Sequence, residues 1–400
     1  MNMGDGMNYA PKGKPSPVVK PGEFCFAAAY ANHGHIYGMC NGLTEAGGIL
    51  KYIYDPDRKR AENLQKAFPG AILAESEEQI LSDPEIRLVA SAAVTSERCA
   101  VGLRVMEAGK DYFTDKAPFT TLAQLESARE TVRRTGQKYM VYYSERLHSE
   151  CAVYAGDLIR EGAIGSVLQV IGMGPHRLSA SSRPDWFFER EKYGGILCDI
   201  GSHQIEHYLY YAGVHDAKVE YSFAANRNHP EYPELEDFGE AVLVGDNGAR
   251  NYFRVDWFTP DGLSTWGDGR TFILGTDGTI ELRKYVNAGV PGSDPDHLLL
   301  VNGKRTAHRV SRQGWLPLLR PAHSRLPEPH GKRHDTGARL QGRSALSGSS
   351  AAFGQQKITK KAGNKHENDL PLVRREQRFR DPDTDPPDSR YDGNHGLSRL

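Results

Sequence analysis

Along residues 23–148 short apolar runs alternate with amphipathic stretches, the pattern of buried strands joined by helices. Phe24–Ala29 and Ile49–Tyr54 read as strands, the second ending at Asp55. Asp57 is placed to cap a helix whose Ala61, Leu64 and Phe68 share a face. Leu88–Ala93, Tyr112–Thr114 and Tyr139–Tyr143 read as further strands, and Thr121 opens a helix with Leu122, Leu125, Ala128 and Val132 inward. Repeated βα units of this kind predict an α/β fold, a doubly wound parallel sheet of the Rossmann type. The pattern changes after Ser149. One helix, Ala152–Glu161, stops at Gly162 and Gly165. Alternating segments follow at Val167–Met173, Val219–Phe223, Ala241–Val244, Asn251–Phe258, Thr271–Leu274 and Thr279–Leu282, with turn residues such as Asp246-Asn247-Gly248 and Asp277-Gly278 between them. They predict a second, α+β domain with a large, mostly antiparallel open sheet. The expected organisation is an N-terminal arm (1–22), a nucleotide-binding domain (23–148), an α+β domain (149–308) and a tail (309–400).

The bulk numbers narrow the function. The chain has 400 residues, 38% hydrophobic and 25% charged, with a formal net charge of -1. Nothing in that balance calls for nucleic acid. No apolar run approaches the roughly 20 residues of a membrane span, and the polar start of the chain lacks a signal-peptide core. The five cysteines are scattered with no C-x-x-C pair, so a reducing cytoplasm is the expected location.

A strand, a glycine-containing turn, a helix and an acid at the end of the next strand are the layout of a dinucleotide site. Tyr30, Asn32, His33, Gly34, His35 and Ile36 form that turn, and Asp55 follows about 25 residues after it. No G-x-G-x-x-G can be written. The acid points to NAD, while Arg58, Lys59 and Arg60 leave NADP open. Two further elements carry chemistry. Asp115-Lys116-Ala117-Pro118 lies at the end of a buried strand, where ligands bind in open α/β sheets. In Gly194-Gly195-Ile196-Leu197-Cys198-Asp199-Ile200-Gly201-Ser202-His203 a continuous helix would put Asp199 and His203 on one face. An aspartate beside a histidine can hold its ring and tune it as a general base.

These two motifs, in this order, resemble those of the Gfo/Idh/MocA family (glucose–fructose oxidoreductase, inositol dehydrogenase, rhizopine catabolism) over roughly residues 23–308. The first resembles that family's Glu-Lys-Pro motif, with Asp115 for the usual glutamate and Ala117 inserted. The resemblance implies hydride transfer between nicotinamide and a hydroxyl of a sugar, cyclitol or related polyol. It implies that Lys116 hydrogen-bonds the reacting oxygen, that His203 takes the hydroxyl proton and that Asp199 orients substrate and histidine. It also implies homo-oligomerisation through the open sheet. His176, Arg177 and Trp186 lie where family members place substrate contacts, and Glu145-Arg146 closes the last strand of the nucleotide half. Thr95, Asp115 and Lys116 join the cofactor set, although a Pro-Asn type turn frequent in the family is here Val94-Thr95-Ser96-Glu97-Arg98.

Two other readings compete. His203-Gln204-Ile205-Glu206-His207 matches the H-x-x-E-H pattern of some zinc hydrolases. A non-catalytic NAD-binding sensor could use the same scaffold. Beyond His308 the chain loses periodicity and becomes rich in Arg, Pro, Ser, Gly and His, so it is expected to be disordered. Gly314–Arg343, back-translated and read one base later, can yield an amphipathic ending like the family's. That predicts a frameshift near Arg305–Arg309.

Overall fold

A computed structural model describes residues 17–289 and 296–309. The expectations for residues 1–16 and 310–400, the shifted reading frame included, lie outside the described residues. In the first half, β1 (Cys25–Ala29), α1 (His35–Glu45), β2 (Ile49–Tyr54), α2 (Arg58–Ala67), β3 (Ile72–Leu73), α3 (Glu77–Ser82) and β4 (Ile86–Ser91) follow in order. Then come α4 (Arg98–Glu107), β5 (Asp111–Asp115), α5 (Leu122–Thr135) and β6 (Tyr139–Tyr142). Local chemistry sets these ends. The Asp57 side chain accepts from Lys59 N–H, and Thr121 and Gln124 form a reciprocal capping box at the start of α5. Gly136 ends α5 at φ 72°, a conformation that favours glycine. The strands pair in parallel in the order β3-β2-β1-β4-β5-β6. The order reverses between β1 and β4, which opens a crevice at their carboxyl ends.

The second half adds α6 (Ser144–Leu147), α7 (Glu150–Arg160), β7 (Val167–Pro175), α8 (Arg190–Tyr193), α9 (Ile196–Asp199), α10 (Gly201–Ala212), β8 (Ala217–Ala225), β9 (Phe238–Gly245), β10 (Arg250–Asp256), β11 (Arg270–Gly275) and β12 (Gly278–Arg283). It closes with β13 (His297–Asn302) and β14 (Arg305–Arg309), two strands beyond the last one legible in the sequence. The eight strands run β14-β13-β12-β11-β7-β10-β9-β8, antiparallel except where β10 pairs with β7. Helices α7 and α10 cover one face, and their Ala152, Ala155, Ile205 and Leu209 pack with Val170, Phe253, Ile273 and Leu298 from the strands. The other face carries a registered row across the sheet: Tyr221, Val242, Tyr252, Ile171, Phe272, Glu281 and Leu299. None of the seven is fully buried. No helix among the described residues is long and apolar enough to cross a membrane.

Candidate active site

The turn after β1 is fastened on both sides. Tyr30 N–H donates to Tyr54 O, Ala92 N–H to Tyr30 O, and His33 N–H to Ala92 O. Tyr30 takes φ 61°, and its hydroxyl meets Arg104. Asn32 is partly buried, Gly34 is the N-cap of α1, and the Ile36 side chain is fully in the core. Asp55 is buried at the end of β2, and its oxygens accept from the N–H groups of Ala31 and Asp57 and from the Arg60 guanidinium, whose nearest contact is 2.8 Å. The arginine at the acid is therefore Arg60. Arg58 points to solvent beside Glu62.

Two imidazoles stand where a phosphate-binding loop would have glycines. His35 Nδ1 lies 2.8 Å from Asp115 Oδ1, and His33 Nδ1 lies 3.1 Å from Asp115 Oδ2. Asp115 also accepts from Lys116 N–H and from Arg98 at 3.1 Å. Burial alone would raise its carboxyl, but His35, Arg98 and His33 outweigh that and hold it well below the usual carboxylate value. His33 is pushed down to about 4, chiefly by burial and the neighbouring His35. Asp115 is thus the anchor of the turn.

Arg98 went unmarked in the sequence and organises this corner. It is 1% exposed and bonds the carbonyls of Ala93, Lys116 and Ala117, so it ties the turn after β4 to the turn after β5. Its only sequence signal is a charge inside the otherwise apolar start of α4. Lys116, at the mouth of β5, reaches across to Asp199 and pairs with its carboxylate. Burial would raise Asp199, but Lys116, assisted by Arg183, holds it below the ordinary value. Thr95, Lys116 and Asp199 line one small cleft together with an aromatic wall of Trp186, Phe187 and Tyr193. The second motif needs its glycines. Gly194 and Gly195 sit at φ 87° and 89°, and a Cβ on Gly195 would lie 2.5 Å from Glu236 Oε2. That carboxylate accepts from Ile196 N–H and starts the helical segment that presents Asp199.

His203 follows one turn later and is 2% exposed, behind the residues that line the cleft. Its carboxylate neighbour is Glu145, 4.0 Å from Nε2, where the shared helical face had suggested Asp199. Burial drives His203 down to about 3, so the ring is neutral at physiological pH. His176 also faces Glu145, at 3.4 Å, while its Nδ1 lies 3.1 Å from Gly174 O. Arg177 turns away: it bonds Pro260 O and Leu263 O and pairs with Asp261. The H-x-x-E-H pattern forms no metal cluster. Both oxygens of Glu206 are held by Arg146 at 2.6–2.9 Å, and His207 packs toward Tyr211.

Two family models match the chain, an "Oxidoreductase family, NAD-binding Rossmann fold" over residues 29–143 and a "GFO/IDH/MocA C-terminal domain" over residues 153–281. Their order is that of the two sheets. The chain belongs to the Gfo/Idh/MocA family of oxidoreductases. A crystal structure from Erwinia carotovora atroseptica SCRI1043, which carries only a general oxidoreductase assignment, is 43% identical with a TM-score of 0.75, covering 82% of this chain and 98% of its own. Curated relatives include a scyllo-inositol 2-dehydrogenase (NAD(+)) of Bacillus subtilis (strain 168), 25% identical over 58% of this chain and 66% of its own. A scyllo-inositol 2-dehydrogenase (NADP(+)) of the same organism is 27% identical over 46% and 53%. The matches span between 34% and 66% of the curated relatives' length. Family membership makes the first half a nicotinamide-dinucleotide domain.

Proposed function

We propose that this Gfo/Idh/MocA protein is an NAD(P)-dependent dehydrogenase that oxidises a hydroxyl of a sugar, cyclitol or similar polyol. The observation that carries the reading is the Lys116–Asp199 pair, which joins the mouth of the parallel sheet to the second motif. The chain's own residues fit a dinucleotide. The turns at the β1/β4 switch point carry the small, buried Ala29, Ala92 and Ala93, and Gly34 opens α1 between His33 and His35. A bound nicotinamide would accept the hydride from the carbinol carbon. Lys116 donates a hydrogen bond to the reacting oxygen and favours charge building there. Asp199 accepts from a neighbouring substrate hydroxyl and holds the lysine in place. His203 receives the hydroxyl proton, which its neutral state permits. Trp186 and Phe187 offer an apolar wall for the C–H face of the ring. Oligomerisation through the open face of the eight-stranded sheet is part of this proposal, supported by the row from Tyr221 to Leu299.

A screen of sugars and polyols with NAD(+) and NADP(+), following nicotinamide absorbance, tests the reading. Turnover of at least one polyol is expected. Tight nucleotide binding without turnover on any of them would point instead to a nucleotide sensor. Cofactor choice gives a sharper check. Asp55 is engaged by two backbone N–H groups and Arg60, whose side chain is 39% exposed, so Arg60 is the group that a ribose 2′-phosphate meets. Arg60→Ala should lower kcat/KM for NADP(+) by roughly five- to tenfold, the effect of one charge-assisted contact. The value for NAD(+) should barely change. An unchanged NADP(+)/NAD(+) ratio would remove Arg60 from cofactor selection.

A further inference from the structure

Around His203 lies a buried charge cluster whose other members the proposed mechanism has not used. Glu145 is fully enclosed, and its Oε2 accepts from Lys284 at 2.7 Å and Gln204 at 3.3 Å. Its Oε1 has no hydrogen-bond partner and neither does His203 Nδ1. Glu145 on α6, Lys284 just past β12, His176 just past β7, and His203 and Gln204 on α10 are gathered by the fold from distant parts of the chain. An ionised carboxylate costs several kcal/mol to bury unless it is paired. Lys284 supplies that pairing through Oε2, which leaves Oε1 to face the imidazoles of His203 and His176.

We propose that Glu145 is the positioning carboxylate of this site: its Oε1 faces the Nε2 atoms of His203 and His176, it stabilises the imidazolium formed when His203 takes the substrate proton, and Lys284 keeps it ionised. The proposal rests on the dehydrogenase reading only for the origin of that proton. The groups acting on His203 are Glu145, Lys116, His176 and His35, and those acting on Glu145 are Lys284, His203, His176 and His207. Burial would raise the Glu145 carboxyl, but Lys284 and the imidazoles hold it well below its usual value. The proton balance is closed: it leaves the hydroxyl, rests on His203 beside Glu145 and returns to solvent when product leaves.

Two measurements test this. In Glu145→Gln, kcat should fall roughly ten- to a hundredfold with KM for both substrates unchanged, as expected of a group that acts through the base and not on substrate. Imidazole NMR titration of the whole protein reads the same pairing without turnover. His203 should take up a proton at lower pH in Glu145→Gln than in the native protein, because the carboxylate that favours its imidazolium is gone. If Glu145→Gln, which leaves the Lys284 charge unpaired, does not fold, Lys284→Met/Glu145→Gln is compared with Lys284→Met, and the double variant should again protonate His203 at the lower pH. Identical His203 titrations with and without Glu145 would overturn the proposal. The NMR effect without turnover on any polyol would instead retire the dehydrogenase reading and leave the Glu145–His203 pairing standing.

Discussion

Lys116→Ala should lower kcat/KM by at least about a hundredfold, the usual cost of removing one preorganised donor from a developing oxyanion. The structure gives two reasons. The ammonium is the cation that the β5 mouth offers to the cleft, since the Arg98 guanidinium is spent on three backbone carbonyls and Asp115. Its removal also strips Asp199 of its main stabilising charge. Asp199 would then bind a proton more readily, and the variant should lose residual activity as pH falls through the carboxylate range. A variant with native turnover would take the lysine out of the mechanism.

Arg98→Met should cost about 3–5 kcal/mol, the penalty of removing one partner from a buried ion pair. Against a total stability of roughly 5–15 kcal/mol this is severe. Arg98 is 1% exposed and Asp115 is fully enclosed, so neither loss can be made up by water. The acid dependence carries a signature. The folded-state pKa of Asp115 is depressed, so its contribution is present above the unfolded value of about 3.9 and is lost as pH falls through the folded value. In Arg98→Met the depression is smaller, so stability should be lower at neutral pH and its acid slope flatter. Urea unfolding at pH 7 and at several pH values below 4 reads both. Equal stability of variant and native protein at neutral pH would show that Arg98 is dispensable to the corner.

Much of the fold could be read along the chain because burial imposes a period. The parallel strands are uninterrupted apolar runs, since both of their faces are covered by helices. The later strands alternate because one face of their sheet is open. The pattern missed β13, although Leu298 and Leu300 do alternate inward there, because the stretch sits next to a sequence with no period at all. Lys116 and Asp199 were legible for a different reason: each stands in a short motif whose neighbours, Pro118 in one case and two glycines in the other, have strict backbone roles.

The sequence by itself determined the two-sheet architecture, the family and the candidate pair Lys116 and Asp199. Those follow from local periodicity and contiguous motifs, which need no long-range contact to be seen. Only the tertiary structure decided which charge answers which. It paired Asp55 with Arg60, gave Arg98 to Asp115, closed Glu206 with Arg146 and set Glu145 rather than Asp199 beside His203. Most of these partners come from different elements, in the last case from α6 and α10. A buried charge is satisfied by whatever lies within a few ångströms in space, and that distance is not written in sequence separation.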